Sequence, residues 1–351
     1  LNLLIREQVN MVNFSLVGCG FIAQKHSEAI ARIPTARIYA VCDKIQENMK
    51  LYQDKHNAIP YEDFDVMLQD EKIDVVNICT PSGTHATLAI KAANAGKHII
   101  LEKPMALSEK DARDILNACE KNKVKLAVIH PNRFRPALIE LKKLLDKGKF
   151  GKISHINATV RWNRNKEYYE QAPWRGTRVM DGGVLMNQAI HNLDLLLWLM
   201  GPVGELQAYT ATRFRDIECE DVAVAVVTFE SGALGVIETA TTVYPKNLEE
   251  SISIFGEKGT AIIRGTHANK FEHLVIEGLS DDETKTIMDI GEKQQEKSGH
   301  AWIIEDMIEC INNDKQPIIG GQDGLNAVKL VNAITEAAES KRPVISTTNK
   351  R

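Results

Sequence analysis

Apolar residues in the first third of the chain follow two alternating rhythms. Short, nearly continuous apolar runs of strand length, "VNFSLVG", "RIYAVCD", "DVVNICT", "KHIILEK" and "KLAVIH", are separated by segments at 21–33, 45–56, 84–95 and 108–122 with helical spacing. This alternation predicts an α/β domain, a doubly wound parallel sheet with right-handed crossovers. After a predicted helix near 135–147 and the turn "KGKFGK", the rhythm changes. The runs "ISHINATVRW", "ELQAYTATRF", "DVAVAVVTF", "ALGVIETATTVY", "SISIFG" and "TAIIRG" follow one another with few helices between them. They predict a large, mostly antiparallel open sheet in a second, α+β domain. Helical periodicity returns at 300–312 and 322–340. The boundary is expected near 131–135, giving domains at 11–133 and 134–351, with residues 1–10 an extension ahead of Met11.

Composition narrows the function classes. The 351 residues are 44% hydrophobic and 26% charged, with a net charge of −4, which is ordinary for a soluble two-domain protein. Lys and Arg are spread along the chain, so no basic footprint for nucleic acid or an anionic membrane is expected. The opening "LNLLIREQVN" is too short for a signal-peptide core, and no apolar stretch approaches a membrane span. Six cysteines, widely spaced and without C-x-x-C, read as reduced thiols of a cytoplasmic protein.

The chemistry gathers at the ends of the predicted strands. "GCGFIA", Gly18 to Ala23, follows a strand and opens a helix. Gly18 permits the tight turn, Gly20 lets backbone approach a pyrophosphate, and Ala23 allows close helix–strand packing; Phe21 and Ile22 complete the turn. Asp43 ends the second strand, where a carboxylate holds a ribose diol and opposes a 2′-phosphate, favouring NAD over NADP. "TPSGTH" puts Thr80, Ser82 and His85 at the same sheet edge, either lining the cofactor groove or making a turn and helix cap. "LEKP" ends the next strand there with Glu102 and Lys103. In "MNQAIHNLDLLLWLMGP", residues 186–202, helical spacing sets Asn187, His191 and Asp194 on one face.

In order and spacing, "GCGFIA", "VCD", "TPSGTH", "AGKHIILEKPMAL", "GG…NQAIHNLDLLLWLMG" and "GEKGT" resemble the Gfo/Idh/MocA oxidoreductases. The resemblance covers nearly the whole chain from Val12. It implies a Rossmann domain binding NAD, a second domain whose open sheet assembles a homodimer or homotetramer, a sugar-like or cyclitol substrate, and Lys103 with His191 as the catalytic pair. In such chemistry a hydroxyl proton passes to imidazole while an ammonium stabilises developing alkoxide, although a desolvated lysine can also be the base. Asp194 would orient the imidazole or cap local backbone. Where many members carry an aspartate one turn before the histidine, this chain has Asn187, expected to bond substrate hydroxyls. "MNQAIH", "YYEQAPWRGT" and "YTATRF…YPKNLE" are similar to a narrower group, the WlbA-like UDP-N-acetylglucosaminuronate 3-dehydrogenases, in which NADH can stay bound and be reoxidised by 2-oxoglutarate. That group usually has lysine-glutamine where "HPNRFRP" has His130 and Pro131; Asn132 and Arg133 are retained, and Arg133 is expected at the substrate.

"RWNRNKEYYEQAPWRGTR", residues 161–178, interleaves Arg161, Arg164, Lys166, Arg175 and Arg178 with Trp162, Tyr168, Tyr169 and Trp174. Such a cluster suits an anionic ligand with a stacking ring, with a solvated or interface loop as the alternative. Arg161, Arg164, Tyr168 and Arg178 are thus expected at substrate, and by resemblance Trp174 and Arg175 at the cofactor. Histidine spacing suggests no metal. The expected function is oxidation of a sugar hydroxyl, most specifically the 3-hydroxyl of UDP-N-acetylglucosaminuronate in cell-surface polysaccharide biosynthesis. The rivals are another sugar or cyclitol dehydrogenase, a non-catalytic NAD-binding regulator, and a glycosidase that uses NAD transiently.

Overall fold

The computed structural model describes residues 11–293 and 297–345; the predicted extension 1–10 lies outside the described residues. The apolar runs of the first third form six parallel strands: β1 (Val12–Val17), β2 (Ala36–Cys42), β3 (Ile59–Tyr61), β4 (Val75–Ile78), β5 (His98–Leu101) and β6 (Leu126–Val128). Between them run α1 (Phe21–Ile30), α2 (Gln46–His56), α3 (Phe64–Leu68), α4 (His85–Asn94) and α5 (Glu109–Lys121). The strand order is β3-β2-β1-β4-β5-β6, with every pairing parallel. The order in which strands are added therefore reverses between β1 and β4, and a crevice opens at their carboxyl ends, the place where doubly wound sheets bind ligands.

After α6 (Pro136–Asp146), the second sheet is built from β7 (Ile153–Arg161), β8 (Val203–Ala211), β9 (Val222–Phe229), β10 (Leu234–Ala240), β11 (Glu249–Gly256), β12 (Gly259–Arg264) and β13 (Lys270–Ile276). Helices α7 (Lys166–Glu170) and α8 (Ile190–Met200) are inserted between β7 and β8. The chain ends with α9 (Asp281–Glu292), α10 (Gly299–Asn313), α11 (Gly321–Ser340) and the short β14 (Val344–Ile345). The order is β13-β12-β11-β7-β10-β9-β8-β14, antiparallel except where β7 and β10 run parallel. Period-two alternation is plain in β9: Ala223, Ala225 and Val227 are buried while Val224 and Val226 are exposed.

Division at 133/134 separates the strands of the two sheets, but the C-terminal helices cross back. Ile303, Ile304 and Met307 of α10 share a buried cluster with Phe14, Leu16 and Ile30 of the first domain. Ala327, Val328 and Ile334 of α11 join the larger core that runs from Val76 and Leu101 into Ile237 and Ile254 of the second sheet. Continuous apolar packing across the two sheets holds the cleft walls together, since burial is favourable in proportion to the area removed from water.

Candidate active site

A cleft of about 470 Å³ lies at the carboxyl ends of β1, β4 and β5. The Gly-rich turn forms its floor. Gly18 has φ of +83°, and a Cβ there would meet Thr80 Cγ2 at 2.8 Å and the Cys79 carbonyl at 3.0 Å, so a side chain fits neither the backbone nor the space. At Gly20 a Cβ would meet nothing within 4 Å, leaving the backbone open to close approach from the cleft. Helix α1 starts here without a side-chain cap, so its first N–H groups face the cleft as a ready anion site. Phe21 and Ile22 line the cleft, while Ala23 is fully buried and packs α1 on the sheet. Asp43 lines the cleft, and its carboxylate accepts from the Cys19 N–H at 2.7 Å and the Ile45 N–H at 2.8 Å. The acid at the end of β2 thus braces the Gly-rich turn as well as lining the cleft. These residues fit a dinucleotide.

Thr80 and Ser82 line the same wall, but His85 does not reach it. Its Nδ1 lies 2.7 Å from the Pro104 carbonyl and its Nε2 2.9 Å from that of Thr80. Helix α4 begins at His85, which turns the ring back under the loop to tie the two strand ends together. Gly83 donates to the Met180 carbonyl at 3.0 Å, docking this loop on the segment from the second domain that closes the cleft. Ile45, Asn48, Cys79 and Pro81 also line the cleft; strand-end position is the signal that could have found the last two.

Lys103 projects into the cleft beside Asn187. Its ammonium donates to the Asn187 carbonyl at 2.8 Å and to Asn187 Oδ1 at 3.4 Å. Burial pushes its pKa down; Glu102 and Asp181 push it up again, and Arg164 and Arg175 oppose them. Asn187 therefore faces the lysine, and its Nδ2 donates to Asp181, so the amide expected at substrate hydroxyls is occupied in holding Lys103. Residues 184–189 form a π-helical turn ahead of α8. The wider winding breaks the single face that α-helical spacing predicted for Asn187, His191 and Asp194.

His191 lies in the first turn of α8 and is not among the residues that line the cleft with Lys103 and Asn187. Burial, then the charges of Lys103 and His130, hold its pKa well below the ordinary histidine value, so the ring is neutral near pH 7 and able to accept a proton. Its Nδ1 is buried without a hydrogen-bond partner, and the His130 ring stands edge-on at 6.0 Å. Among the described residues, Asp194 pairs with Arg133 and also lies 3.8 Å from His130 Nδ1. Its two oxygens take Arg133 Nε at 2.8 Å and Nη2 at 2.6 Å, while Arg133 Nη1 reaches Asp323 at 3.0 Å. Arg133 is thus held in a buried fork of two carboxylates and is not among the residues that line the cleft. Asn132 beside it donates to Glu250 at 3.1 Å.

Of the five cations in 161–178, the fold brings two to the site. Arg175 lines the cleft with Trp174, stacked over the Tyr168 and Trp174 rings at 4.2 and 4.7 Å and donating to Tyr168 OH at 2.6 Å. Arg164 lies over the Trp162 and Tyr168 rings at 5.0 Å and bears electrostatically on Lys103. Tyr168 is the hub of this group and also faces Gln188 Nε2 at 3.4 Å. Arg161 is elsewhere: it sits opposite Glu249 in the β7–β11 register and is neutralised by Glu238 and Glu249 at 2.5 Å each. The Arg178 side chain is 66% exposed, 3.9 Å from Glu339, and Lys166 is 82% exposed beside Glu170. Neither is spent on the cleft.

Glu102 lines the cleft beside Lys103, and one of its carboxylate oxygens enters a buried cluster behind it. Its Oε1 lies 2.9 Å from His26 Nε2 and 3.5 Å from His300 Nε2, and these contacts hold its carboxyl well below the usual range despite burial. Ligand-type atoms of the three side chains lie within 4.8 Å of one another, a convergence from α1, the end of β5 and α10 that linear histidine spacing did not reveal. The six cysteines are all buried and free. No helix among the described residues is long and apolar enough to cross a membrane.

Two family profiles match the chain: an oxidoreductase family NAD-binding Rossmann fold over residues 12–130 and a GFO/IDH/MocA C-terminal domain over 138–262. The WlbA dehydrogenase from Bordetella pertussis, solved in complex with NADH and UDP-GlcNAcA, is 36% identical with a TM-score of 0.90, covering 96% of this chain and 98% of its own. Its counterpart from Chromobacterium violaceum, solved with the same pair, is 37% identical with the same TM-score, covering 96% of both chains. The myo-inositol 2-dehydrogenase of Thermotoga maritima is 26% identical, covering 95% of this chain and 98% of its own. The chain belongs to the Gfo/Idh/MocA family of NAD-dependent oxidoreductases.

Proposed function

We propose that this enzyme oxidises the 3-hydroxyl of UDP-N-acetylglucosaminuronate. The observation that carries this reading is the likeness, over 96% of the chain, to two dehydrogenases solved with NADH and UDP-GlcNAcA, at 36% and 37% identity; the myo-inositol enzyme stands at 26%. Arg164 and Tyr168 supply charge and a ring face suited to a sugar nucleotide acid, with Trp174 and Arg175 beside them toward the cofactor. When bound, NAD supplies the acceptor for the hydride leaving the carbinol carbon. The chain's own work is proton and charge management. Neutral His191 takes the hydroxyl proton, and the Lys103 ammonium, anchored on Asn187, stabilises the developing alkoxide. Should Lys103 shed its proton, it becomes the base instead, and the pH profile decides between them.

The physiological setting we infer is cytoplasmic cell-surface polysaccharide biosynthesis, with 2-oxoglutarate as a candidate acceptor that regenerates NAD in place. The second sheet exposes Tyr209, Val224, Val226, Leu234 and Val236 on adjoining strands. This apolar face supports a homodimer or homotetramer. The test is incubation with UDP-N-acetylglucosaminuronate and 2-oxoglutarate, followed by mass spectrometry. The expected products are a sugar nucleotide lighter by one pair of hydrogens and 2-hydroxyglutarate. If neither this mixture nor one with free NAD yields the keto sugar, while myo-inositol or a simple hexose is oxidised, the substrate reading is overturned in favour of a sugar or cyclitol dehydrogenase.

A further inference from the structure

Asp181 lies in the turn that leads into the π-helical segment and is 1% exposed. One carboxylate oxygen accepts from the Gly176 N–H at 2.6 Å; the other accepts from Asn187 Nδ2. The same Asn187 offers its Oδ1 and backbone carbonyl to Lys103. An ionised carboxylate can only accept and an ammonium can only donate, so the amide between them has one satisfactory orientation. Flipped, it would set oxygen against carboxylate and NH₂ against ammonium. Gly176 directly follows Trp174 and Arg175, which line the cleft.

We propose that Asp181 is a positioning residue: it fixes the Asn187 amide so that Oδ1 faces Lys103 and, through Gly176, ties the Trp174–Arg175 wall to the same lysine. The inference rests on the reading of Lys103 as the group that stabilises the alkoxide. The Lys103 ammonium is faced by Glu102 from its own loop, Asp181 and Arg175 from the 174–187 segment, and Arg164 from the end of β7. His85, His130 and His191 bear on it from α4, the end of β6 and α8. Removing the Asp181 charge therefore lowers the pH at which Lys103 loses its proton, beyond what burial already does.

The experiment compares Asp181→Asn, Asn187→Ala, the double variant and Lys103→Met in the full-length enzyme. The pH dependence of Lys103 acetylation by acetic anhydride, read by peptide mass spectrometry, needs no knowledge of the substrate. Turnover is followed in parallel with UDP-N-acetylglucosaminuronate or myo-inositol, whichever is oxidised. Asp181→Asn is expected to move the Lys103 labelling midpoint and the alkaline limb of kcat to lower pH. It should lower kcat by up to roughly 10²-fold with NADH affinity nearly unchanged. Asn187→Ala should reproduce the shift, and the double variant should be no worse than the more impaired single one. If Lys103→Met retains turnover, the catalytic reading fails and the inference with it. If Lys103→Met is inactive while Asp181→Asn leaves the labelling midpoint and alkaline limb where they were, the positioning role is overturned and the catalytic reading stands. Lower kcat with an unmoved profile assigns Asp181 a merely structural role and overturns the proposal too. Should Asp181→Asn fail to fold, Asn187→Ala decides by the same midpoint.

Discussion

Lys103 and His191 owe their protonation states to what surrounds them. Burial lowers both, but carboxylates partly restore Lys103, whereas His191 is pushed further down by the lysine and by His130. The imidazole is therefore held neutral, while the lysine loses its proton more readily than an ordinary one. Activity should persist on the acid side below the ordinary histidine range, because a base with a lowered pKa stays unprotonated there, and should fall on the alkaline side earlier than an ordinary lysine would dictate. A kcat/KM profile whose acid limb lies at or above the ordinary histidine value would contradict this. Lys103→Met and His191→Asn should each reduce turnover by roughly 10²–10⁴-fold while NADH binding, followed by fluorescence, changes little. Asp43 both lines the cleft and braces Cys19 and Ile45. Asp43→Ala is accordingly expected to weaken NAD binding and to narrow its advantage over NADP; calorimetry showing unchanged NAD affinity would remove the bracing role.

Between β6 and α6, the segment carrying Arg133 meets α8 and α11 through one guanidinium. Arg133 is 8% exposed and Asp194 1%, and the bidentate geometry satisfies both oxygens. Removing one member of such a buried pair leaves the other charge uncompensated, a cost of about 3–5 kcal/mol. Arg133→Met should therefore lower the unfolding free energy strongly, whereas Arg178→Met, at a 66% exposed side chain, should change it by less than about 0.5 kcal/mol. Equal stability in the two variants, measured in urea, would show that Arg133 is not the clamp described. The π-helical turn at 184–189 acts at this scale as well, since it rotates Asn187 toward Lys103 while Asp194, further along the helix, faces Arg133.

At the scale of the whole molecule, the second sheet has one face covered and one open. Val226 pairs with Gln207 on β8 and Val236 on β10, and Val224 with Tyr209, so the exposed apolar side chains form a continuous patch. Wild-type enzyme should sediment as a dimer or tetramer, and Val226→Glu with Val236→Glu should shift it to monomer with secondary structure retained. A monomeric wild type would leave the patch without this explanation. Helix α10 does the opposite work, packing Ile303, Ile304 and Met307 against β1 and α1 of the first sheet.

Period and punctuation made the two sheets, the Gly-rich turn, Asp43 and Lys103 legible in the linear chain. These depend on local backbone requirements: a glycine where φ is positive, or a strand end that opens at a sheet edge. Side-chain destinations were less legible. Arg161, Arg178 and Arg133 carry charges suited to an anion, yet acids distant in sequence, Glu238, Glu249, Glu339, Asp194 and Asp323, claim them. His85 turns to backbone carbonyls, and His26, Glu102 and His300 converge from three distant segments. Asp181 carries no signal of its own until the π turn sets Asn187 between it and Lys103. Backbone preference acts over a few residues and is written in their order, whereas the partner of a buried charge is whichever opposite charge the packed fold brings within reach.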